Sequence, residues 1–401
     1  VTPLYTRSFV SLLLAQSAFG YAFASFFLLP KFVTTELGRG PEQIGLVMAA
    51  FGATAVIGIP LVGSLVDRLG RRRFMTAGAL LMAATSLGFL WVEEVDALIF
   101  ALRGLQGIAF AMTFIASATL VTDQAPPERL GQALGIFGVS MLSMHAVAPA
   151  VVEELATRFD WDAVFVSACA ASLACALLTG FVREPAARPL ADDTVTSLWE
   201  ILRRPRSVRI AAVTGLSGAA FGAMMTYSQP FALEQGRTHV RGFFVSYAIA
   251  AVTVRVLFGG AADRVGRDRV SVVSLAGYAV VVLAMAGLRP WMLEPLGVLY
   301  GLTHGLFYPA FNALAIEGAG VHERGKVMAI FNGAFNVGSS GATLALGFLA
   351  ASMGYPPVFL AAGAGVVLAW LVLVRSPEGR HWRRRGAASD AYAEGKTARV
   401  S

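Results

Sequence analysis

Apolar stretches of about 20 residues recur along this chain, and each is long enough to cross a bilayer as a helix. Twelve are legible, at 8–30, 44–64, 74–92, 97–121, 133–152, 163–182, 210–232, 242–262, 270–288, 295–316, 327–350 and 355–374. Lipid offers backbone amides no hydrogen-bond partner, so a chain built this way must satisfy them within helices. Composition agrees: 56% of the 401 residues are hydrophobic and 14% charged, against about 45–50% and 25% in soluble domains. That excludes an ordinary soluble enzyme, a disordered chain and a secreted disulfide scaffold. Cys169 and Cys175 are too few for a disulfide framework or a zinc site. The 42 glycines suit closely packed membrane helices. The first span is expected to be retained rather than cleaved as a signal. Its apolar run is long, and its clearest A-x-A, Ala22 to Ala24, lies inside that run.

Placing both termini in the cytoplasm puts 24 of the 32 Lys and Arg residues in cytoplasmic segments and six in external ones. Cytoplasmic loops carry such a bias. The net charge of +7 then reflects topology, and no nucleic-acid partner is implied. The Pro-containing, charged stretch 183–207 divides the spans six and six. This predicts an N-terminal half (1–182), a cytoplasmic linker (183–207), a C-terminal half (208–375) and a cytoplasmic tail (376–401). The halves repeat one another. GSLVDRLGRRR at 63–73 answers GGAADRVGRDR at 259–269, with Asp67 and Asp263 offset by 196. ERLGQALGIF at 128–137 answers ERGKVMAIF at 323–331, and WDAVF at 161–165 answers YPPVF at 355–359. Gly107 and Gly305 are offset by 198. Two six-helix halves related by an axis along the membrane normal are a transporter architecture.

At this point the chain resembles the major facilitator superfamily, over roughly 8–375. Its most specific element is G-x-x-x-D-R-x-G-R-R, present as Gly63, Asp67, Arg68, Gly70, Arg71 and Arg72. A weaker copy includes Asp263 and Arg264, with Asp268 replacing a basic residue. The second element is R-x-x-Q-G, present as Arg103, Gln106 and Gly107. In proton-driven exporters of the family, span five carries a stretch ending in Gly-Pro-x-x-Gly. Here it reads Ala148-Pro149-Ala150-Val151-Val152, with the proline kept and both glycines absent. The resemblance implies an all-α membrane protein of twelve transmembrane helices in two six-helix halves around a central cavity. Spans three, six, nine and twelve then lie outside against lipid. It also implies that the loop at 63–73 latches the halves on the cytoplasmic side, with Asp67 meeting the start of span eleven. Independently, Gly70 permits a tight turn, and Arg68 or Arg71 is expected to pair with Asp123.

Polar groups within spans are costly and usually face the interior or a water-filled cavity. Spans two, three, six, nine and twelve hold no Asp, Glu, Lys, Arg, His, Asn or Gln. The others hold Gln16, Arg103, Gln106, His145, Gln229, Arg255, His304, Asn312, Asn332 and Asn336, whereas every Asp and Glu falls near a span end. Gln106, His145 and His304 lie within about 5 Å of mid-span at the rise of a helix. Arg103, Gln106, His145, Arg255, His304, Asn332 and Asn336 are therefore candidates for substrate or proton coupling. For each a packing role competes: a carbonyl-bonded cation, an end-paired cation, core histidines, or interhelical glue for the asparagines. Met141, Met144, His145, Met224 and Met225 make a soft-ligand set of the kind copper takes, against methionine's ordinary use as gap filler. Phe19, Tyr21, Tyr227, Tyr247 and Tyr308 either line a cavity or pack.

The resulting expectation is a secondary transporter moving a small organic solute by alternating access, proton-coupled, with efflux ahead. Uptake of a small organic anion is the alternative, and a metal ion such as copper a remoter one. No cofactor, no catalytic residue and no metal centre are expected. A monomer embedded in the cell membrane, with both termini cytoplasmic, completes the reading.

Overall fold

The computed structural model describes residues 4–184, 197–258, 265–317, 319–320 and 323–377. Twelve long helices run through these residues. The first six are α1 (Arg7–Thr35), α2 (Pro41–Leu69), α3 (Arg71–Gly88), α4 (Ala97–Gln124), α5 (Leu130–Arg158) and α6 (Trp161–Thr179). The second six are α7 (Pro205–Glu234), α8 (Arg241–Phe258), α9 (Arg267–Met285), α10 (Leu293–Ile316), α11 (Arg324–Met353) and α12 (Tyr355–Arg375). A 3-10 turn at Phe26–Leu28 interrupts α1, and a short helix, Leu198–Arg203, precedes α7.

Length and composition qualify 11 of these helices as membrane spans. The long helix outside that group is α10. Glu294, His304 and Asn312, with Tyr300 and Tyr308, lower its hydropathy.

Local chemistry sets the helix ends. Thr6, Asp96 and Asp160 accept hydrogen bonds from first-turn amides of α1, α4 and α6, which satisfies donors the helix cannot. Proline opens α2 and α7, where its missing N–H costs nothing. Gly70 and Gly266 precede α3 and α9 with φ of 98° and 110°, a region that residues with a Cβ avoid. The duplicated loop motif thus makes the same backbone turn in both halves.

Within the first half α3 packs on α4 and α6, and α6 packs on α1. Within the second, α9 packs on α10 and α12, and α12 on α7. These four peripheral helices expose Leu80, Leu177, Val280 and Leu368 among others, as lipid contact requires. The main contacts between halves are α2 with α11 and α5 with α8, the pair of contacts that a two-fold duplication generates. Gly107 of α4 and Gly305 of α10 also play matching parts. A Cβ on Gly107 would lie 2.3 Å from the Phe51 carbonyl oxygen of α2, and one on Gly305 would lie 3.0 Å from Ala251 Cα of α8.

The halves close on each other at the end of the bundle that holds Glu153. On α2 and α11, Cβ atoms at Gly45 and Gly347 would meet the Tyr227 hydroxyl at 2.7 and 2.8 Å. Both glycines therefore let the two backbones approach. Gln229 Nε2 of α7 donates to the Phe27 carbonyl of α1 at 2.6 Å. At the opposite end, near Gly70, Arg71 pairs with Asp123, and Glu184 accepts from the amide of Arg71 at 2.5 Å. Arg204 grips Glu323 through two hydrogen bonds of 2.7 and 2.9 Å, tying the short linker helix to the start of α11. The bonds from Glu323 raise the Arg204 pKa above its ordinary value.

The candidate latch residues are only partly visible. Gly70, Arg71 and Asp123 are placed as above. The backbone of Gly63, Asp67 and Arg68 belongs to α2, but their side-chain placement lies outside the described residues, as do Asp263 and Arg264 altogether. The linker stretch 185–196 and the tail beyond 377 also lie outside them.

Candidate functional site: a polar cluster between the halves

Arg103 projects from α4 with 3% of its surface exposed. Its Nη1 donates to Gln106 Oε1 at 2.7 Å, and its Nη2 reaches the Met48 sulfur at 3.8 Å. The guanidinium lies 4.7 Å from the centre of the Phe51 ring, a cation–π arrangement that partly offsets lost hydration. Arg103 Nε and Gln106 Nε2 have no partner. The three-residue spacing of Arg103 and Gln106 places both on one helix face, which is why the motif forms a unit.

His145 sits on α5 between Phe27, at 4.8 Å, and Phe23, at 6.3 Å. Neither of its ring nitrogens has a partner. Across the interface, His304 of α10 is 4% exposed. Its Nδ1 shares a hydrogen bond of 3.1 Å with the Tyr247 hydroxyl of α8, and its Nε2 has no partner. Six aromatic rings surround it: Phe221, Tyr247, Tyr278, Tyr300, Tyr308 and Phe335, with centroids 5.1–6.3 Å away. Arg255, half-buried on α8, lies within electrostatic range of both His145 and His304. Three helices, α5, α8 and α10, thus carry His145, Arg255 and His304 within electrostatic range of one another, although they are far apart in sequence.

The asparagines do something else. Asn332 Oδ1 accepts from the Tyr308 hydroxyl at 2.9 Å, and Asn336 donates back to the Asn332 carbonyl at 2.9 Å. The first of these bonds joins α10 to α11, and the second lies within α11. Met141 accepts from Gln16 Nε2 at 3.5 Å, and Met224 is fully buried. Among the described residues no cluster of three or more His, Cys, Asp or Glu is present. Phe19, Tyr227 and Tyr247 are packed in the core, whereas Tyr21 and Tyr308 are half-exposed.

Sequence reasoning left Glu153 as one of several acids near span ends. In the structure its side chain is fully buried at the seam. It accepts from Lys31 Nζ of α1 at 2.5 Å, from the amide of Val240 at 2.9 Å and from that of Arg241 at 2.9 Å. The neighbouring Glu154 accepts from Arg241 at 2.6 Å. A carboxylate of one half thus caps the first turn of α8 in the other. A second omission is Tyr278 and Tyr300, which with Tyr247 form the wall behind His304.

Twelve membrane helices in two like halves, with His145 of α5 and Arg255 of α8 on a pair of helices that join them, define an α-helical membrane transporter. The model of the Major Facilitator Superfamily matches residues 10–259 and 242–399, and the chain belongs to that family. It is 27% identical over 347 residues to the multidrug resistance protein MdtG of Yersinia enterocolitica, covering 82% of this chain and 83% of that one. It is also 27% identical over 359 residues to the multi-drug resistance efflux pump PmrA of Streptococcus pneumoniae, covering 86% and 89%. Among solved structures, the nucleoside transporter NupG superposes with a TM-score of 0.80 at 14% identity, over 91% of this chain and 98% of that one. A bacterial homologue of the human lysosomal transporter Spinster, inward-facing and unoccupied, gives 0.78 at 14% identity, over 93% and 97%. At that identity the likeness is one of fold.

Proposed function

We propose that this protein is a proton-coupled secondary transporter that exports amphipathic organic solutes from the cell by alternating access, acting as a monomer. The observation that carries this reading is the group His145, Arg255 and His304, within electrostatic range of one another across the two halves, with the Arg103–Gln106 pair of α4 as a separate polar unit. The group is drawn from both halves and rich in unpartnered polar atoms. A polar group left unbonded in a dry interior is costly, so such a cluster suits a place that solute and water visit. The multidrug names of the relatives from Yersinia and Streptococcus support export.

With both termini cytoplasmic, the Glu153 end faces outward and the Gly70 end inward. The described conformation is then closed outside, a state from which a cytoplasmic solute enters. The loop from Gly63 to Arg71, with Asp67 and Arg68, and its counterpart at Asp263 and Arg264 serve as the inner latch in the opposite state. A latch on one face stabilises the state open to the other and so sets the balance between them. Uptake of a small organic anion is the second reading, favoured by two arginines within spans, Arg103 outward and Arg255 inward of mid-span, with no carboxylate deep in any span. Everted vesicles test both. Proton-driven accumulation of an amphipathic dye that Arg103→Ala abolishes supports export, and movement of solute only in right-side-out vesicles reverses the direction.

A further inference from the structure

The charges around the cluster constrain what it holds. Arg255 is a permanent cation, and its Nε has no partner. Two imidazoles stand within its field, His145 with both nitrogens unpartnered and His304 with Nε2 unpartnered. Arg103 of α4 stands apart from this group, bonded to Gln106 and Met48, with Nε unpartnered. Among the described residues no carboxylate pairs with Arg255 or Arg103, and Glu153, the buried carboxylate of the seam, is occupied by Lys31 and two amides. An unpaired cation at mid-span costs about 2.5–3.5 kcal/mol or more. The cluster is therefore short of negative charge and of acceptors, and a bound anion supplies both.

The walls constrain the rest of the ligand. His145 meets the edge of Phe27, and Phe23 continues that wall toward Phe51 and Phe110. On the other half, Phe221 stands 5.1 Å from His304 and 5.3 Å from Phe335. Phe23, Phe27, Phe221 and Phe335 are all half-exposed rather than sealed in the core. Ring faces left open in this way accept another ring by offset or edge contact. A lipophilic cation would find the aromatic faces, but it would have to approach the Arg255 guanidinium with no carboxylate among the described residues to oppose it.

We propose that the cargo site selects planar aromatic monoanions, with the anionic group on Arg255 and the imidazoles and the ring between the Phe27 and Phe221 walls. This rests on the transporter reading above and narrows its substrate class. The site discriminates against lipophilic cations and against neutral isosteres of the anion.

The test is equilibrium dialysis on the purified full-length protein in nanodiscs, using three labelled probes: 2-naphthoate, its neutral isostere 2-naphthamide, and tetraphenylphosphonium. Naphthoate should bind at least about tenfold more tightly than the amide, which corresponds to 1.4 kcal/mol, and the phosphonium should not saturate. Arg255→Gln should bring the acid-to-amide ratio close to one, and Arg255→Lys should keep most of it. If Arg255→Gln does not yield monodisperse protein, the wild-type ratio and the lysine variant decide. Equal binding of acid and amide, tighter binding of the phosphonium, no binding of naphthoate, or a ratio unchanged in Arg255→Gln would each overturn the proposal. A parallel flux assay in proteoliposomes separates the two readings. Selective naphthoate binding without movement sinks the transporter reading and leaves the site intact. Movement of the phosphonium without preference for the acid does the reverse.

Discussion

At the residue scale, His304 shows how an environment decides what a side chain is for. Its helix neighbours announce a polar span, but only the fold reveals that Tyr247 and Arg255 of α8, Tyr278 of α9, Tyr300 and Tyr308 of α10 and His145 of α5 surround it. Imidazole changes charge between about pH 5 and 8, so under the proposed proton coupling His304 is the candidate carrier. His304→Gln keeps a hydrogen bond to Tyr247 but cannot titrate in that range. Transport by this variant should lose most of its pH dependence while probe binding changes by less than about threefold, under 1 kcal/mol. An unaltered pH profile would return His304 to packing and move the search to His145. Arg103 was legible as a functional candidate because its motif spacing is local to one helix. Glu153 was not, because its partners, Lys31 and the amides of Val240 and Arg241, come from distant parts of the chain.

Two seams carry the element scale. Where α5 meets the start of α8, Glu153 gathers three hydrogen bonds, each to a charged acceptor and worth about 1.5–3 kcal/mol. Glu153→Gln replaces one acceptor oxygen by a donor facing the same N–H groups and removes the attraction to Lys31. The closed outer seam should lose population by tenfold or more. Spin labels at Thr35 and Thr238, in a background lacking Cys169 and Cys175, should report a wider distance; an unchanged distribution would mean that the glycine contact alone holds the seam. That contact, between α2 and α11, has its own test. A side chain at Gly347 would collide with the Pro41 carbonyl at 2.8 Å and with Gly45 Cα at 3.2 Å. Gly347→Leu should still insert, but it should keep the same label pair apart and slow transport at least tenfold. Normal transport by this variant would show that α2 and α11 can separate there without cost to the cycle. The pairing of helices was partly readable, since matched loops imply matched contacts. Which faces meet was not, because small residues line several faces of these helices and only assembly chooses among them.

At the scale of the whole molecule, the bias of 24 basic residues to six predicts cytoplasmic termini. Reporter fusions at Asp192 and at Ala388 should both give a cytoplasmic signal, and an external signal from either would invert the assignment of inner and outer ends used above. The number of spans, their order, the two-fold repeat and the family were determined by the amino-acid sequence itself. Each depends on properties that act along the chain: hydropathy over about 20 residues, charge in short loops, and motifs recurring at an offset near 196. The tertiary structure alone decided that Arg255 lies within electrostatic range of two imidazoles, that aromatic rings flank them, and that Glu153 joins the halves. Those facts depend on which helix faces meet. In a bilayer, lipid is as apolar as a leucine side chain, so meeting faces are chosen by small residues and scattered polar contacts rather than by a hydrophobic stripe. A choice made by contacts between residues more than 80 positions apart, as between Glu153 and Val240, leaves no periodic trace in the sequence.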